Sequence, residues 1–456
     1  MLQLIKKPVF RIVAPWAIVY LILFVPFFED GGTNPNSRFA AMRAMSMDGV
    51  LYIDNYLEWT KDWSLSDDCH FYSNKAPGPT ILAFPVFWLI DKTKYLVDPD
   101  FRNDYCLPHT IGYEHKIGIP LLFQILPFVL LTFLAASFLE RRGASKEAIL
   151  FSTIAILFAN TASLFMPTWF GHGLTACLVL GLFFTLNANR IILSGLLFGF
   201  ALLSEYSVAL MLPAIALFWY MRDELRWRSI GFFIIGGILP GIIWCWYHNT
   251  VFGGIFQLPN AFQNPEFVAG ATGLSGQFLG YVDLKITLNL LLGSERGILF
   301  TQPWVLVFFI GLVQSFEKRP IPLKPNYYLI LTTFILLLIM NSSFIGWHGG
   351  LTPGPRYLAF VMPLFAIMTA LCYDKFSLLV KIMLWLSVLV GVVLCGVVYN
   401  ATILAYEHRV LWEWFGNFLF IYYKVERIII FTLTILVAGF FSFQTIKGII
   451  SDNQTQ

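Results

Sequence analysis

Long runs of apolar residues constrain this chain more than any other feature of its sequence. A membrane-spanning helix needs about 20 apolar residues, because the bilayer core is about 30 Å thick and a helix rises about 1.5 Å per residue. Runs of roughly this length recur throughout, at 10–28, 117–138, 146–166, 172–188, 191–221, 230–248, 297–314, 326–342, 357–373, 377–399 and 428–446. The sequence therefore predicts an all-α polytopic membrane protein in which residues 1–456 form a single integral membrane domain.

The low content of charged residues excludes several other classes of protein. Charged residues make up 12% of the chain, about half of the roughly 25% found in soluble domains. Disordered chains, collagen-like fibres, coiled coils and small disulfide-rich domains do not have this composition. A net charge of +3 supplies no basic face that could follow a phosphate backbone, so no nucleic-acid partner is expected.

Basic residues predict which side of the membrane each loop occupies. They are concentrated in short junctions between alternate apolar runs, at Lys6, Lys7, Arg141, Arg142, Arg222, Arg226, Arg228, Lys318, Arg319, Lys375 and Lys381. The positive-inside rule places these junctions in the cytoplasm. Since Arg190 and Arg222 then lie on the same side, the run 191–221 is predicted to be a hairpin of two short helices that bends at 204–206. The result is about twelve membrane helices with both termini in the cytoplasm.

The first extracytoplasmic loop, 29–116, is the largest polar segment and holds nearly half of the 27 acidic residues. Its apolar stretch 78–91 is too short to span and contains two prolines, so we predict an amphipathic or re-entrant helix. Cys69 and Cys106 lie in the same loop, and a disulfide between them would brace a segment with little core of its own. The chemistry is therefore expected on the extracytoplasmic (periplasmic) face of the inner (plasma) membrane.

Five groups of polar residues lie at the predicted outer ends of the apolar runs. They are 36–38 with the acids that follow it, 71–78, 169–172, 204–206 and 346–357. With the topology above, all five meet at one leaflet. This convergence predicts the position of a functional site.

Two acids of the outer loop are candidate proton acceptors. Asp54 follows the apolar and aromatic residues 51–53, and partial desolvation of a carboxylate at a membrane surface makes it more basic. Asp62 has a similar but weaker case. The simpler alternative for each is a solvated surface acid.

Other charged residues near the membrane have both a binding and a structural interpretation. Lys75 precedes a predicted helix start, where an anion is favoured, but a lysine can also snorkel to the headgroups. Arg356 suits a lipid-headgroup contact and a phosphate clamp equally well. Glu205 is costly in an apolar hairpin and is expected to face a partner or cavity, whereas His172 alone is typical of a helix-end hydrogen bond.

Several short motifs occur in order along most of the chain, at 49–54, 72–78 (YSNKAPG), 170–172 (FGH), 199–206, 247–253, 294–303 and 354–358 (GPRYL). Together with the large first outer loop, this series resembles the GT-C class of membrane glycosyltransferases. The resemblance is to bacterial members related to the protein O-mannosyltransferases and the lipid A aminoarabinose transferases.

The resemblance implies an enzyme that transfers a sugar from a polyprenyl-phosphate donor, with inversion, to a lipid, glycan or protein acceptor. It implies that Lys75 and Arg356 contact the donor phosphate. The substrate-binding region is expected to include four more residues, His172, Glu205, Tyr206 and His348.

The chain departs from the resemblance where many relatives carry an Asp-Glu pair as catalytic base, because it reads NSR at 36–38. The base is then expected elsewhere, with Asp54 first, Asp62 second and Asp30, at the exit of the first apolar run, third. A single base suffices, since the phosphate leaves without being protonated. The sequence contains no ligand set that demands a cofactor or metal, and a divalent metal stays an open alternative.

A transporter or flippase of lipid-linked sugars is the alternative function from a different class. It would share the many spans and the cations at the membrane rim. Repeated halves are typical of transporters, and no internal repeat is visible in the sequence. An enzyme resembling O-antigen polymerases or ligases is a further alternative.

Overall fold

The computed structural model describes residues 8–25, 32–97, 111–267, 280–294, 296–318, 324–350 and 354–400. Asp30, Cys106 and the predicted span 428–446 lie outside these residues. The assignments made for them stay predictions.

Helices make up most of the described chain. In order they are α1 Pro8–Phe24, α2 Thr33–Arg43, α3 Gly78–Val97, α4 Tyr113–Pro120, α5 Leu126–Arg141, α6 Lys146–Phe158, α7 Thr161–Leu164, α8 Gly171–Asn187, α9 Ile191–Ser204, α10 Met211–Tyr220, α11 Trp227–Phe252, α12 Leu284–Leu292, α13 Ile298–Thr301, α14 Trp304–Lys318, α15 Lys324–Ser342, α16 Met362–Cys372 and α17 Leu378–Asn400. Shorter 3-10 or π-helical turns lie at Ala44–Asp48, Asp54–Trp59, Leu121–Ile125, Tyr206–Leu210, Pro259–Phe262, Pro265–Phe267, Arg356–Val361 and Tyr373–Lys375.

Every apolar run predicted within the described residues coincides with a helix or with two consecutive helices. Within that part of the chain, four helical segments are long and apolar enough to cross a membrane, namely Glu114–Arg141, Trp227–Phe252, Lys324–Ser342 and Arg356–Lys375. Five shorter apolar helices accompany them. The apolar helices are confirmed, while the count of about twelve spans is not.

Helix α11 has an apolar face that no other described part of the chain covers. Ile234, Ile238 and Ile242 are 60%, 50% and 61% exposed and follow one another at four-residue intervals, which places them on one side of the helix. A continuous apolar stripe of this kind is suited to contact with lipid rather than water.

The predicted hairpin in 191–221 is confirmed. Glu205 has extended backbone angles, φ −149° and ψ 117°, which end α9, and a 3-10 turn at Tyr206–Leu210 begins the second arm. The ring of Phe233 in α11 lies 5.4 Å from Phe198 in one arm and 5.3 Å from Trp219 in the other. The chain therefore runs to Glu205 and turns back, so that Trp219 returns to the level of Phe233.

The segment 29–116, for which we predict an outer loop, contains α2, α3 and a two-stranded hairpin. Strand β1, Trp63–Leu65, pairs antiparallel with strand β2, Phe71–Ser73. The helix predicted at 78–91 is confirmed and extends to Val97 as α3. The expectation that the loop has little core is wrong, because Phe39, Phe87 and other apolar side chains form a buried cluster that also includes Trp169 from the helical bundle.

A buried ionic triad joins three helices within this loop. Asp91 Oδ1 lies 3.0 Å from Arg43 Nη1 and 2.9 Å from His115 Nε2. Their side chains are at most 1% exposed. The triad therefore ties α2 and α3 to the first residues of α4.

Candidate active site

Residues from all five predicted polar groups meet at one end of the structure. We call this set the charged cluster, and it consists of Arg38, Asp62, Lys75, His172, Glu205 and Arg356. One ion pair and one carboxylate–imidazole pair lie within it, and the buried guanidinium of Arg38 interacts electrostatically with Asp62, Glu205 and Arg356. The structure therefore brings the five groups together, while their position at the outer leaflet stays a prediction.

Asp62 and Lys75 form an ion pair because they flank the two strands of the hairpin. Asp62 directly precedes β1 and Lys75 follows β2, and the pairing of Trp63 with Ser73 brings them together. Lys75 Nζ lies 3.1 Å from Asp62 Oδ2, with the side chains 17% and 11% exposed.

The charges of this pair shift the pKa values of both groups. Burial acts to raise the pKa of Asp62, but the Lys75 ammonium and the charge of Arg356 hold that pKa below its ordinary value. Burial lowers the pKa of Lys75, and Asp62 offsets this only in part. The pair is thus a carboxylate and an ammonium that stabilise each other away from bulk water.

Arg38 in α2 is a buried cation that the sequence did not single out as a site residue. Its side chain is 2% exposed, and burial lowers the pKa of Arg38 to about 10. Nη1 donates to the carbonyl oxygen and the side-chain oxygen of Asn34, whereas Nε has no hydrogen-bond partner within the described residues. The one available signal was a basic residue at the position where the resembling enzymes carry acids.

Glu205 and His172 form a carboxylate–imidazole pair at the bend of the hairpin. Glu205 Oε1 lies 3.2 Å from His172 Nδ1, and His172 is in the first turn of α8. A methyl group on Gly171 would lie only 2.5 Å from Glu205 Oε1 and 2.9 Å from Arg38 Nη2. The glycine therefore leaves room for the two charged side chains beside α8.

Arg356 opens the 3-10 turn before α16. Its Nη2 donates to the Tyr357 hydroxyl at 2.9 Å, and the guanidinium carbon lies 4.9 Å from the centre of the same ring. Nε is buried without a hydrogen-bond partner in the described part of the chain. The Tyr357 ring also contacts the His172 ring edge to face, with 5.8 Å between ring centres. It therefore connects Arg356 to the His172–Glu205 pair.

Tyr206 and His248 form a polar pair next to the cluster. The Tyr206 hydroxyl lies 3.1 Å from His248 Nε2, and His248 Nδ1 lies 3.0 Å from the carbonyl oxygen of Trp244. A carbonyl only accepts, so Nδ1 carries the proton and Nε2 accepts from Tyr206. His248 was quoted from the sequence only as part of a motif, because a role that depends on a residue 42 positions away leaves no local signal.

His348 organises the turn that precedes Arg356. Its carbonyl oxygen accepts from Arg296, and its Nδ1 accepts from the Gly350 amide at 3.0 Å. These contacts support the loop rather than supply a free side chain, and its predicted part in substrate binding stays a prediction.

Asp54 braces the outer loop. Its Oδ2 lies 2.6 Å from His70 Nδ1, and its Oδ1 accepts from the Phe71 amide at 2.8 Å. These partners lie at the start of β2, whereas Lys75 follows the end of that strand. At about 3.3 Å per residue the strand separates the two places by about 10 Å. Of the three carboxylates proposed as base, the structure brings Asp62 into the charged cluster.

The cluster has an excess of positive charge. Arg38, Lys75 and Arg356 face two carboxylates, Asp62 and Glu205. Within the residues that the structure describes, no group of three or more His, Cys, Asp or Glu side chains is placed to hold a metal ion. What the cluster offers is a partly buried site for one anionic group.

The fold around this site is that of the GT-C glycosyltransferases. Among solved structures it is similar to ArnT, an aminoarabinose transferase, from Cupriavidus metallidurans bound to undecaprenyl phosphate, with a TM-score of 0.52 and 16% identity over 85% of this chain and 64% of that one. It is also similar to the apo oligosaccharyltransferase of Archaeoglobus fulgidus, with a TM-score of 0.51 and 12% identity over 87% of this chain and 56% of that one. This chain thus spans less than two thirds of either protein's length. Its sequence matches no family model and no curated protein.

Proposed function

We propose that this protein is a membrane glycosyltransferase that takes its sugar from a polyprenyl-phosphate donor. The observation that carries the proposal is the charged cluster, in which three cations outnumber two carboxylates at one end of a GT-C fold. Charge-assisted hydrogen bonds from Arg and Lys are strong ligands for phosphate oxygens.

In the proposed reaction, Lys75 and Arg356 hold the donor phosphate. They neutralise the charge that develops on this group as its bond to the sugar breaks, which makes the lipid phosphate a better leaving group. The hydroxyl of a lipid, glycan or protein acceptor attacks the anomeric carbon from the opposite side, so the configuration inverts. A carboxylate base takes the hydroxyl proton, and no protein group needs to protonate the phosphate.

The distribution of charge supports a site on the extracytoplasmic face of the inner (plasma) membrane. Helix α8 carries His172 in its first turn, and its 17 residues end three positions before Arg190, about 25 Å away at 1.5 Å per residue. At that far end Arg142 interacts electrostatically with Arg222 and Arg141. Basic junctions favour the cytoplasm, so the charged cluster is assigned to the other side.

The test measures binding of undecaprenyl phosphate to the purified full chain in lipid nanodiscs. Lys75→Ala and Arg356→Ala should each raise Kd about 10- to 150-fold, since one charged hydrogen bond contributes about 1.5–3 kcal/mol. Lys75→Arg should recover only part of the affinity, because a planar fork replaces a compact ammonium. Lys61→Ala is the matched control, because its ammonium pairs with Glu266 in solvent and is 69% exposed.

Unchanged affinity in both alanine variants would remove the phosphate assignment. Turnover separates the transferase from a flippase. A transferase releases undecaprenyl phosphate from undecaprenyl-phosphate-linked sugars when a membrane-lipid extract supplies acceptors. A flippase moves the donor between leaflets of a vesicle and releases none.

A further inference from the structure

The carboxylates in and near the charged cluster differ in the partners that hold them. Asp62 is held by Lys75 at 3.1 Å, which reduces its basicity. Asp54 has both oxygens engaged, by His70 and the Phe71 amide. Glu205 differs from both, because the side-chain partner found for it among the described residues is an imidazole, His172, whose Nδ1 lies 3.2 Å from Oε1.

The side chain of Glu205 is also more accessible to a substrate than that of its partner, His172. Its side chain is 18% exposed, whereas that of His172 is 4% exposed. The His172 ring is packed by Phe165 at 5.0 Å and Tyr357 at 5.8 Å between ring centres. The imidazole is therefore fixed in place, and the carboxylate is the member of the pair that a substrate can reach.

The neighbours of Glu205 place it beside the proposed phosphate site. The charges that act on it are those of Arg38, Arg356 and Lys75, the same cations that outnumber the acids of the cluster. A base for glycosyl transfer must lie close to the leaving phosphate, since the anomeric carbon is bonded to the oxygen that departs with that phosphate. Glu205 meets this requirement, because it interacts with Arg356 and Lys75, the two cations proposed to hold the phosphate.

We propose that Glu205 is the catalytic base and that His172 is the residue that positions it. The inference deepens the proposed function and rests on it. In the step, the acceptor oxygen forms a bond to the anomeric carbon while the bond from that carbon to the phosphate oxygen breaks. The bonding pair leaves with the phosphate, and the hydroxyl proton moves to Glu205 Oε2 and then to water. His172 Nδ1–H donates to Oε1 and so aims Oε2 at the hydroxyl.

The position of Glu205 in the fold agrees with this role. A carboxylate within an apolar hairpin is expensive to keep in a membrane, and here it occupies the single extended residue between two helical arms. The chain carries Arg38 where the resembling enzymes carry an acidic pair. In this protein the acid is therefore supplied by Glu205 in the hairpin and not by α2.

The experiment compares Glu205→Gln with the unaltered protein in two measurements, undecaprenyl phosphate binding and release of undecaprenyl phosphate during transfer to a membrane-lipid extract. Glutamine keeps the size and the contact with His172 but cannot take a proton. Turnover should fall about 10²- to 10⁴-fold, the usual contribution of a general base. Binding should be equal or tighter, because a negative charge beside the phosphate is removed. Glu266→Gln, on an acid that is 65% exposed, is the control that should change neither measurement.

Two further variants test the positioning role of His172. His172→Asn places an amide donor near the position of Nδ1 and should retain more turnover than His172→Ala, with little change in binding. Glu205→Asp keeps the base and should retain part of the activity that Glu205→Gln loses.

Three results would overturn the inference. The first is a Glu205→Gln protein whose turnover is close to normal. The second is a parallel loss of binding, thermal stability and turnover in that variant, which would mark Glu205 as a structural partner of the cations. The third is an unaltered protein that neither binds undecaprenyl phosphate nor transfers from it, which removes the proposed function as well.

Discussion

Asp62 and Lys75 are ion-paired because each flanks a strand of one short hairpin, and the free energy of that pair depends on pH. The pKa of Asp62 lies below its ordinary value in the folded protein. A carboxyl group of this kind contributes stability that is fully present above its unfolded pKa, near 3.9, and is lost as the pH falls through the folded value.

Asp62→Asn should therefore lower the Tm at neutral pH, and the difference from the unaltered protein should shrink below about pH 4. Thermal unfolding of both proteins in one detergent, from pH 7 down to pH 3, measures this. A difference that stays constant over the range would mean that the pair does not depend on the charge of Asp62.

Asp54→Asn should lower the Tm but leave undecaprenyl phosphate binding and most of the turnover intact, because Asp54 braces His70 and Phe71 rather than facing Lys75. Unfolding, binding and turnover of the purified variant give the answer. If the Tm is unchanged and turnover falls about 10²- to 10⁴-fold, Asp54 is the base, as the sequence alone indicates.

The packing of α9 against α11 holds the hairpin, and with it Glu205, in position. Two glycines face the opposite backbone here. A methyl group on Gly195 would lie 1.9 Å from the Phe233 carbonyl oxygen, and one on Gly236 would lie 1.9 Å from that of Ile192. Small residues of this kind let membrane helices approach closely.

Gly236→Ala should force α9 and α11 apart, and we expect a lower Tm together with reduced turnover. Gly241→Ala is the control on the same helix, because a methyl group there meets nothing within 4 Å. Equal Tm values for the two variants would show that the glycine contact does not hold the hairpin.

The helices and the hairpin bend could be predicted because apolar runs and basic junctions are visible along the chain itself. The strands Trp63–Leu65 and Phe71–Ser73 could not, since three residues are too few to show an alternating pattern. Arg38 was missed for a different reason. A buried cation is defined by partners from distant segments, here Glu205, and no local pattern reports them.

The whole molecule separates its charges, with the charged cluster at one end and the basic junctions around Arg142 and Arg222 at the other. A bilayer between the two ends would leave the uncovered apolar face of α11 in lipid. The two ends are then expected to differ in their access to reagents that cannot cross a membrane.

Asp67→Cys, an exposed position in the predicted outer loop, should be labelled by a membrane-impermeant maleimide in intact cells, in a background where Cys69 and Cys106 are replaced by Ser. Ala188→Cys, an exposed position after α8, should be labelled only after the cells are opened. Labelling of both cysteines from outside, or of Ala188→Cys alone, would reverse the assignment of the site to the extracytoplasmic face.

The buried triad of Arg43, Asp91 and His115 has a consequence for biosynthesis. His115 is the last of the three to leave the ribosome, and the carboxylate of Asp91 stays without one of its two partners until α4 follows it. The buried contacts of the outer loop are therefore complete only after α4 has been synthesised and His115 can pair with Asp91. A fragment that ends before α4 should therefore fold poorly. Folding of the charged cluster in the complete chain is then expected to depend on the order in which the translocon releases these helices.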